Sequence, residues 1–413
     1  MNSLMTSLRR GRFPSLAVKL PEYQMCAQCI MDTTDPEILF DAAGVCNHCH
    51  RYHAVVATDT MRGAEGRAAL ESTASRIRAA GKGKRYDCII GLSGGVDSSY
   101  VAYLTRELGL RPLAIHLDNG WNSEIAARNI ENVVKRLNID LQTEVLDWAE
   151  FRSLQVAFLR ASTPDCEIPT DHAITAVLYR AAIAHGVRYI LNGVNLVTEQ
   201  MMPRSWSYGH FDWRYVQSVA RTHGDRPLRT FPHYTAFEHE VRFPFWNRIK
   251  EVLPLNYIDY NKAEVTAVIE RELGWRSYGS KHHESIYTRF TQTWLLPHKF
   301  GVDKRRAHVS CLINSGQLTR EQGLAELARP ALDERQFEID RSFVIKKLAL
   351  TPNEFAAIEA APIRSFWDYD SYAASRPFWW EGLAWRGARL LQDKPSAVRN
   401  GAASQVAPGL GKP

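Results

Sequence analysis

Apolar positions in the first half of the chain fall into short runs separated by amphipathic stretches. Tyr86-Asp87-Cys88-Ile89-Ile90-Gly91 reads as a short buried strand. After it, Tyr100, Val101, Leu104 and Leu108 mark one face of a helix that Gly109 stops. Leu113 to Leu117 predicts a second strand, and Ala126, Ile130, Val133, Val134 and Leu137 a second helical stripe. Leu141, Thr143 and Val145 alternate as a third strand. Ile174, Val177, Leu178 and Ala181 form a further helix closed by Gly186, and Val187 to Leu191 is a fourth strand. This alternation predicts an α/β fold with a parallel sheet covered by helices on both faces. Such sheets bind ligands at the carboxyl ends of their strands.

The flanks read differently. Residues 1–20 have no period and predict a flexible arm, and residues 21–60 are cysteine-rich. A polar, Arg- and Ala-rich stretch then reads as helix as far as Gly81-Lys82-Gly83-Lys84. The α/β pattern occupies residues 80–260, although beyond Phe211 the chain turns aromatic and basic and the period blurs. Residues 261–395 read as mostly helical, and 396–413, rich in Gly, Ala and Pro, as a disordered tail. Late tryptophans at Trp367, Trp379, Trp380 and Trp385 are read as packing or interface residues.

Composition changes this picture little. With 45% hydrophobic and 23% charged residues in 413, the chain can bury a sizeable core. The net charge of +6 suits anionic substrates such as nucleotides without demanding a nucleic-acid partner. No apolar run is long enough to span a bilayer, and no apolar stretch follows Arg9, Arg10 and Arg12, so no membrane and a cytoplasmic location are expected. Seven cysteines, four of them in two C-x-x-C pairs, point to metal ligation rather than disulfides. Cys26-x-x-Cys29 and Cys46-x-x-Cys49 have zinc-ribbon spacing. Four thiolates close a tetrahedral site with no open position, so the expected Zn²⁺ is structural. His48 and His50 stand nearby as replacement ligands. Cys88 lies in a strand and reads as a core residue, whereas Cys166 and Cys311 have no partner in sequence.

The candidate chemistry centres on Ser93-Gly94-Gly95-Val96-Asp97-Ser98-Ser99, between the first strand and its helix. Gly94 and Gly95 permit a tight turn and close approach of N–H groups. The helix N-terminus and three serine hydroxyls complete an oxyanion cradle. Asp97, expected on a surface loop, makes sense in an anion site as a holder of Mg²⁺. No G-K-[ST] follows at Walker spacing and no G-x-G-x-x-G is present.

The loop resembles that of the PP-loop ATP pyrophosphatases, which cleave ATP to AMP and pyrophosphate while adenylating a carbonyl oxygen. By that likeness His116 and Asp118, in His116-Leu117-Asp118-Asn119-Gly120, would hold the adenosine, and Asn192 and Gly193 would form a second nucleotide-side loop.

A late stretch runs from Trp275 through Lys281-His282-His283-Glu284 to Leu296-Pro297-His298-Lys299-Phe300-Gly301-Val302-Asp303-Lys304-Arg305-Arg306. On the residues alone it is either a solvated charged face or a set of catalytic groups. In the second case Lys281, Lys299, Lys304 and Arg305 would neutralise a pyrophosphate leaving group, and His283 with Glu284 would act as acid and base. With the cysteine knuckles and Glu167-Ile168-Pro169-Thr170-Asp171-His172, this stretch resembles the N-acetyl sugar amidotransferases, PP-loop enzymes of bacterial surface-polysaccharide and nonulosonic-acid pathways. The resemblance implies a zinc-binding N-terminal element, a PP-loop domain and a helical C-terminal region. It implies ATP, Mg²⁺ and Zn²⁺ as cofactors, and Lys281 and Arg305 as the charge-neutralising residues. It further implies a nucleotide-linked N-acetyl sugar as substrate, converted to an acetamidino sugar, and a separate class I glutaminase subunit supplying ammonia. The aromatic-basic segment Trp206 to Arg229 is the candidate for the sugar nucleotide. The rival expectation is a PP-loop tRNA thiolation enzyme, for which Cys166 would be the sulfur carrier; a non-catalytic nucleotide-binding scaffold is a third class.

Overall fold

Five parallel strands form one sheet in the order β3-β2-β1-β4-β5: β1 Cys88–Gly91, β2 Pro112–Asp118, β3 Asp140–Val145, β4 Tyr189–Leu191 and β5 Lys250–Val252. The computed structural model of the chain describes residues 22–279 and 283–372. The expected arm, the expected tail, Lys281 and the tryptophans at 379, 380 and 385 lie outside the described residues.

The strands alternate strictly between two apolar layers, as a two-residue side-chain period requires. Ile89, Leu113, Ile115 and Ile190 face the layer formed by the helix Ile168–Ala184. Cys88, Ile90, Ala114 and Leu191 face the helices Val96–Glu107, Glu124–Leu137 and Lys262–Leu273. The predicted parallel sheet with helices on both faces is therefore present.

β3 departs from the expectation. Leu141 and Val145 are exposed, because β3 pairs on one side only and the next helix does not cover it. That helix, Trp148–Ala161, sends Phe151, Leu154 and Phe158 into a separate aromatic core shared with the helix Trp213–His223 and with Tyr287, Phe290, Val344 and Phe355 of the C-terminal region. β5 escapes the sequence pattern because its three residues, Lys-Glu-Val, carry a single apolar side chain. No described helix is long and apolar enough to cross a membrane.

Candidate active site

The first helix after β1 begins at Val96, and its N-cap, Gly95, makes no side-chain capping bond. The first-turn N–H groups are thus left for a ligand. Ser93 and Ser98 frame the loop: the Ser93 and Ser98 hydroxyls are 3.2 Å apart, Gly95 N donates to Ser93 Oγ at 3.3 Å and Ser98 Oγ donates to the Gly95 carbonyl at 3.2 Å. The two glycines differ in role. Gly94 has φ +81°, and a Cβ there would sit 2.6 Å from the Ala126 carbonyl oxygen. Its own carbonyl accepts from Trp275 Nε1 at 2.9 Å and Asn129 Nδ2 at 3.4 Å. Gly94 is therefore the packing glycine, turned away from the ligand side, and Gly95 is the one that faces it. Gly94→Ala is expected to cost about 2–4 kcal/mol of stability and to distort the cradle; equilibrium urea unfolding and an ATP titration check both.

The loop opens into a cavity of about 540 Å³. Ser93, Gly95, Asp97, Ser98, His116, Asn192, Gly193 and Glu284 all line it. Asp97 is the second residue of the helix rather than a loop residue. It is half-buried, and its carboxylate accepts from the Tyr260 hydroxyl. His116 Nδ1 pairs with the Leu92 carbonyl at 2.9 Å and Nε2 with Asn122 Nδ2 at 2.9 Å, so one ring proton, on Nδ1, satisfies both. Glu284 approaches the loop from the other side: a Cβ at Gly95 would lie 3.4 Å from Glu284 Oε1 and from the Tyr278 hydroxyl. Backbone bonds from Ser123 N to Glu284 O (2.8 Å) and from Ile286 N to Trp121 O (2.9 Å) hold this segment beside the end of β2. Burial, with the Glu284 carboxylate second, raises the Tyr278 phenol above its ordinary range, keeping it a hydrogen-bond donor.

At the other end of the described chain, the four knuckle thiols converge. Cys26–Cys49, Cys29–Cys46 and Cys46–Cys49 Sγ distances are 3.9, 3.7 and 3.7 Å, and all four residues are fully buried. A tetrahedron with metal–sulfur bonds of about 2.3 Å has sulfur–sulfur edges of about 3.8 Å, so the donor set fits a tetrahedral ion. Backbone N–H groups of Gln28, Cys29 and Cys46 point at Cys26 Sγ at 3.3–3.4 Å. His48 and His50 turn to Asp35 and Asp41 instead, at 2.6 and 2.9 Å.

Two family profiles match the chain. NAD synthase matches residues 74–159, which carry the glycine loop and the end of β2. The family described as LPS biosynthesis protein WbpG-like, C-terminal domain, matches residues 284–384. The chain carries a PP-loop domain and a WbpG-like C-terminal domain. A curated relative, tRNA(Ile)-lysidine synthase of Chlamydia pneumoniae, is 42% identical over 55 residues, 13% of this chain; the chain spans only 17% of that protein's length. Among solved structures, NMN synthetase from Francisella tularensis aligns at 16% identity over 70% of this chain and 98% of that one, with TM-score 0.32. The NH3-dependent NAD synthetase from Campylobacter jejuni aligns at 14% over 73% and 98%, with TM-score 0.29.

The WbpG-like region supplies one wall of the cavity through Glu284, Thr288, Gln292, Lys304, His308 and Leu312. Here the sequence expectation needs correction. Arg305 does not line the cavity: its guanidinium grips Asp303 (Nη2–Oδ2 2.7 Å) and the Arg329 carbonyl (2.9 Å). Lys299 donates to the Ile358 carbonyl. Of the cations in this late stretch, the one among the described residues that lines the cavity, alongside Lys262 from the helix after β5, is Lys304. Burial alone would lower its ammonium, but the carboxylates of Asp165, Glu167 and Asp171 outweigh burial and hold it above its ordinary value. Asp165 accepts from Ser207, and Glu167 from Gln292 Nε2 at 2.9 Å.

Three other expected residues, Ser99, Asp118 and His283, also sit back from the PP-loop cavity, as does His172, to which the sequence assigned no role. Ser99 is buried one step into the helix, and Asp118 Oδ1 accepts from Gly120 N at 2.8 Å. His283 is buried, and His172 is stacked between Trp213 and Tyr234, its ring pushed down to about 3 by burial. Of Trp206 to Arg229, Ser207 alone lines this cavity, because Trp206, Trp213, Tyr215 and Val216 are core. Sequence reasoning gave no role to Tyr260, Thr198 or Glu199, which also line the cavity. Their signal, single polar residues after β4 and β5, is too common to stand out.

Proposed function

We propose that the chain is an ATP-dependent, AMP-forming amidotransferase that converts the N-acetyl group of a nucleotide-linked sugar to an acetamidino group. The observation that carries the reading is that a PP-loop and a WbpG-like wall line the same cavity. An amide carbon is a poor electrophile because the nitrogen lone pair is delocalised into the carbonyl, and its oxygen is a poor leaving group. Attack of the amide oxygen on the α-phosphate of ATP gives an O-adenylyl imidate and pyrophosphate. Ammonia then adds to the imidate carbon and AMP departs with the former amide oxygen.

The chain's own groups fit these demands. Gly95, Ser93, Ser98 and the helix N-terminus receive the pyrophosphate. Mg²⁺, held by Asp97, would offset the charge of the phosphates. His116 and Asn192 face the nucleoside, and Lys304 presents a charged donor from the opposite wall. The four cysteines would hold Zn²⁺ in a structural role.

The rival, a PP-loop tRNA thiolation enzyme, needs a reactive thiol. Cys166 is buried, and burial, with Glu167 and Asp165 next, pushes its thiol up to about 12. It is protonated at neutral pH, when nucleophilic sulfur transfer requires a thiolate. Incubation with ATP, Mg²⁺ and ammonium, with either a diacetamido nucleotide sugar or tRNA, separates the two. AMP and pyrophosphate formed with the sugar alone support the proposal. ADP as main product, or turnover with tRNA only, overturns it.

The nitrogen source gives a further expectation. Four of seven cysteines meet at the metal-type site, and Cys88, Cys166 and Cys311 are buried, so no exposed thiol is set up as a glutaminase nucleophile among the described residues. The purified chain should use ammonium at raised pH and not glutamine, and a separate class I glutaminase subunit should restore glutamine use. Glutamate release by the chain alone at the rate of sugar conversion would contradict this.

A further inference from the structure

The helix Arg305–Asn314 carries two stripes. Lys304, just before its first turn, and then His308 and Leu312 recur every four residues and line the cavity. Arg306, Ser310 and Asn314 recur at the same interval, offset by two. At about 100° per residue, an offset of two residues is about 200°, so the second stripe lies on the opposite face. That face is bonded to the four-cysteine element. Arg306 Nη1 donates to Asp32 and to the Ile30 carbonyl, both at 2.9 Å, and Ile30 N donates to Ser310 Oγ at 3.3 Å. Asn314 Nδ2 lies 3.4 Å from Cys49 Sγ, and Asn314 Oδ1 accepts from Gln28 Nε2 at 2.7 Å.

The same element holds a second wall. Tyr52 donates to the Val197 carbonyl at 3.0 Å, and Arg51 Nη2 to the Gln200 and Met202 carbonyls, both at 3.3 Å. Between these lie Thr198 and Glu199, which with Met202 line the cavity. Asn314 Nδ2 also contacts Met201 Sδ at 3.1 Å, so one side chain touches the cysteine site, the helix and the second wall.

We infer that the four-cysteine element is the positioning device of the cavity, so that metal at the thiols and nucleotide in the cavity bind cooperatively, with Asn314 as the joint. The inference rests on the proposed metal and ATP sites. Neither site reaches the other directly. Each biases the same two segments, 196–202 and 304–314, and such linkage is reciprocal: whatever metal does for nucleotide affinity, nucleotide must do for metal affinity.

The test uses the full zinc-loaded chain. Zn²⁺ affinity is measured by equilibrium competition with a chromophoric chelator, with and without saturating ATP and Mg²⁺, and ATP binding is measured separately by calorimetry. ATP should tighten Zn²⁺ binding by about fivefold or more. Asn314→Ala keeps all four cysteines, so it should retain one Zn²⁺ per chain while the ratio falls towards one. Gln28→Ala, on the element's own side, is the second variant should Asn314→Ala fail to fold. Equal Zn²⁺ affinities with and without bound ATP, or an unchanged ratio in the variants, overturn the inference. If calorimetry shows no ATP binding, the ATP reading fails, and amide exchange decides the inference. Zinc removal should then raise exchange in 196–202 and 304–314 about tenfold while β1 and β2 change little. A uniform change, or none, overturns it.

Discussion

Asp97→Asn is expected to lower AMP formation by about two to three orders of magnitude while leaving the fold intact. Asparagine has the same shape and keeps an oxygen for the Tyr260 hydroxyl, so the helix start and its buried partner are preserved. The negative charge that would hold Mg²⁺ against the phosphates is lost. Asp97→Ala is a harsher change than a surface-loop position would imply. It also strips Tyr260, itself buried, of its acceptor, which costs about 1–3 kcal/mol. Initial rates of AMP release together with urea unfolding of both variants check this. A wild-type rate in Asp97→Asn would remove Asp97 from the mechanism.

Cys46→Ser is expected to have the second large effect. Metal content should fall from about one Zn²⁺ per chain to near zero, and stability by about 3 kcal/mol or more, since a closed four-thiolate site contributes directly to folding. The four sulfurs sit in one apolar cluster with Met201, Trp206, Leu296, Ala307 and Cys311, so loosening the site loosens the packing under two walls of the cavity. Elemental analysis and thermal unfolding measure both effects. Full metal content in Cys46→Ser, or a wild-type chain that purifies without metal and with paired disulfides, would contradict the reading.

What was legible in the sequence follows from local signals. The Ser93–Ser99 loop is a contiguous motif between a buried strand and a periodic helix, so spacing alone located it. The cysteine pairs were legible for the same reason. The far wall was not. Lys304 and Arg305 are adjacent and chemically alike, and which of them faces the cavity depends on the rotation of one helix. That rotation is fixed by contacts nearly 300 residues away in sequence, such as Arg306 to Ile30 and Asn314 to Gln28. The aromatic segment after Trp206 misled because tryptophan and tyrosine serve core and ligand equally well; here Trp213 and Tyr215 pack in one aromatic core with Phe151 and Phe158 of the Trp148–Ala161 helix. β3 misled because alternation shows which side chains share a face, not whether anything covers it.

In the proposed reaction this cavity activates an amide oxygen as an adenylate. The most direct measurement uses a nucleotide sugar whose acetamido carbonyl carries ¹⁸O, turned over with ATP and ammonium and read by mass spectrometry of the products. AMP bearing one ¹⁸O, unlabelled pyrophosphate and an acetamidino sugar free of label are expected. Unlabelled AMP, or label in inorganic phosphate with ADP as co-product, would contradict the proposed reaction.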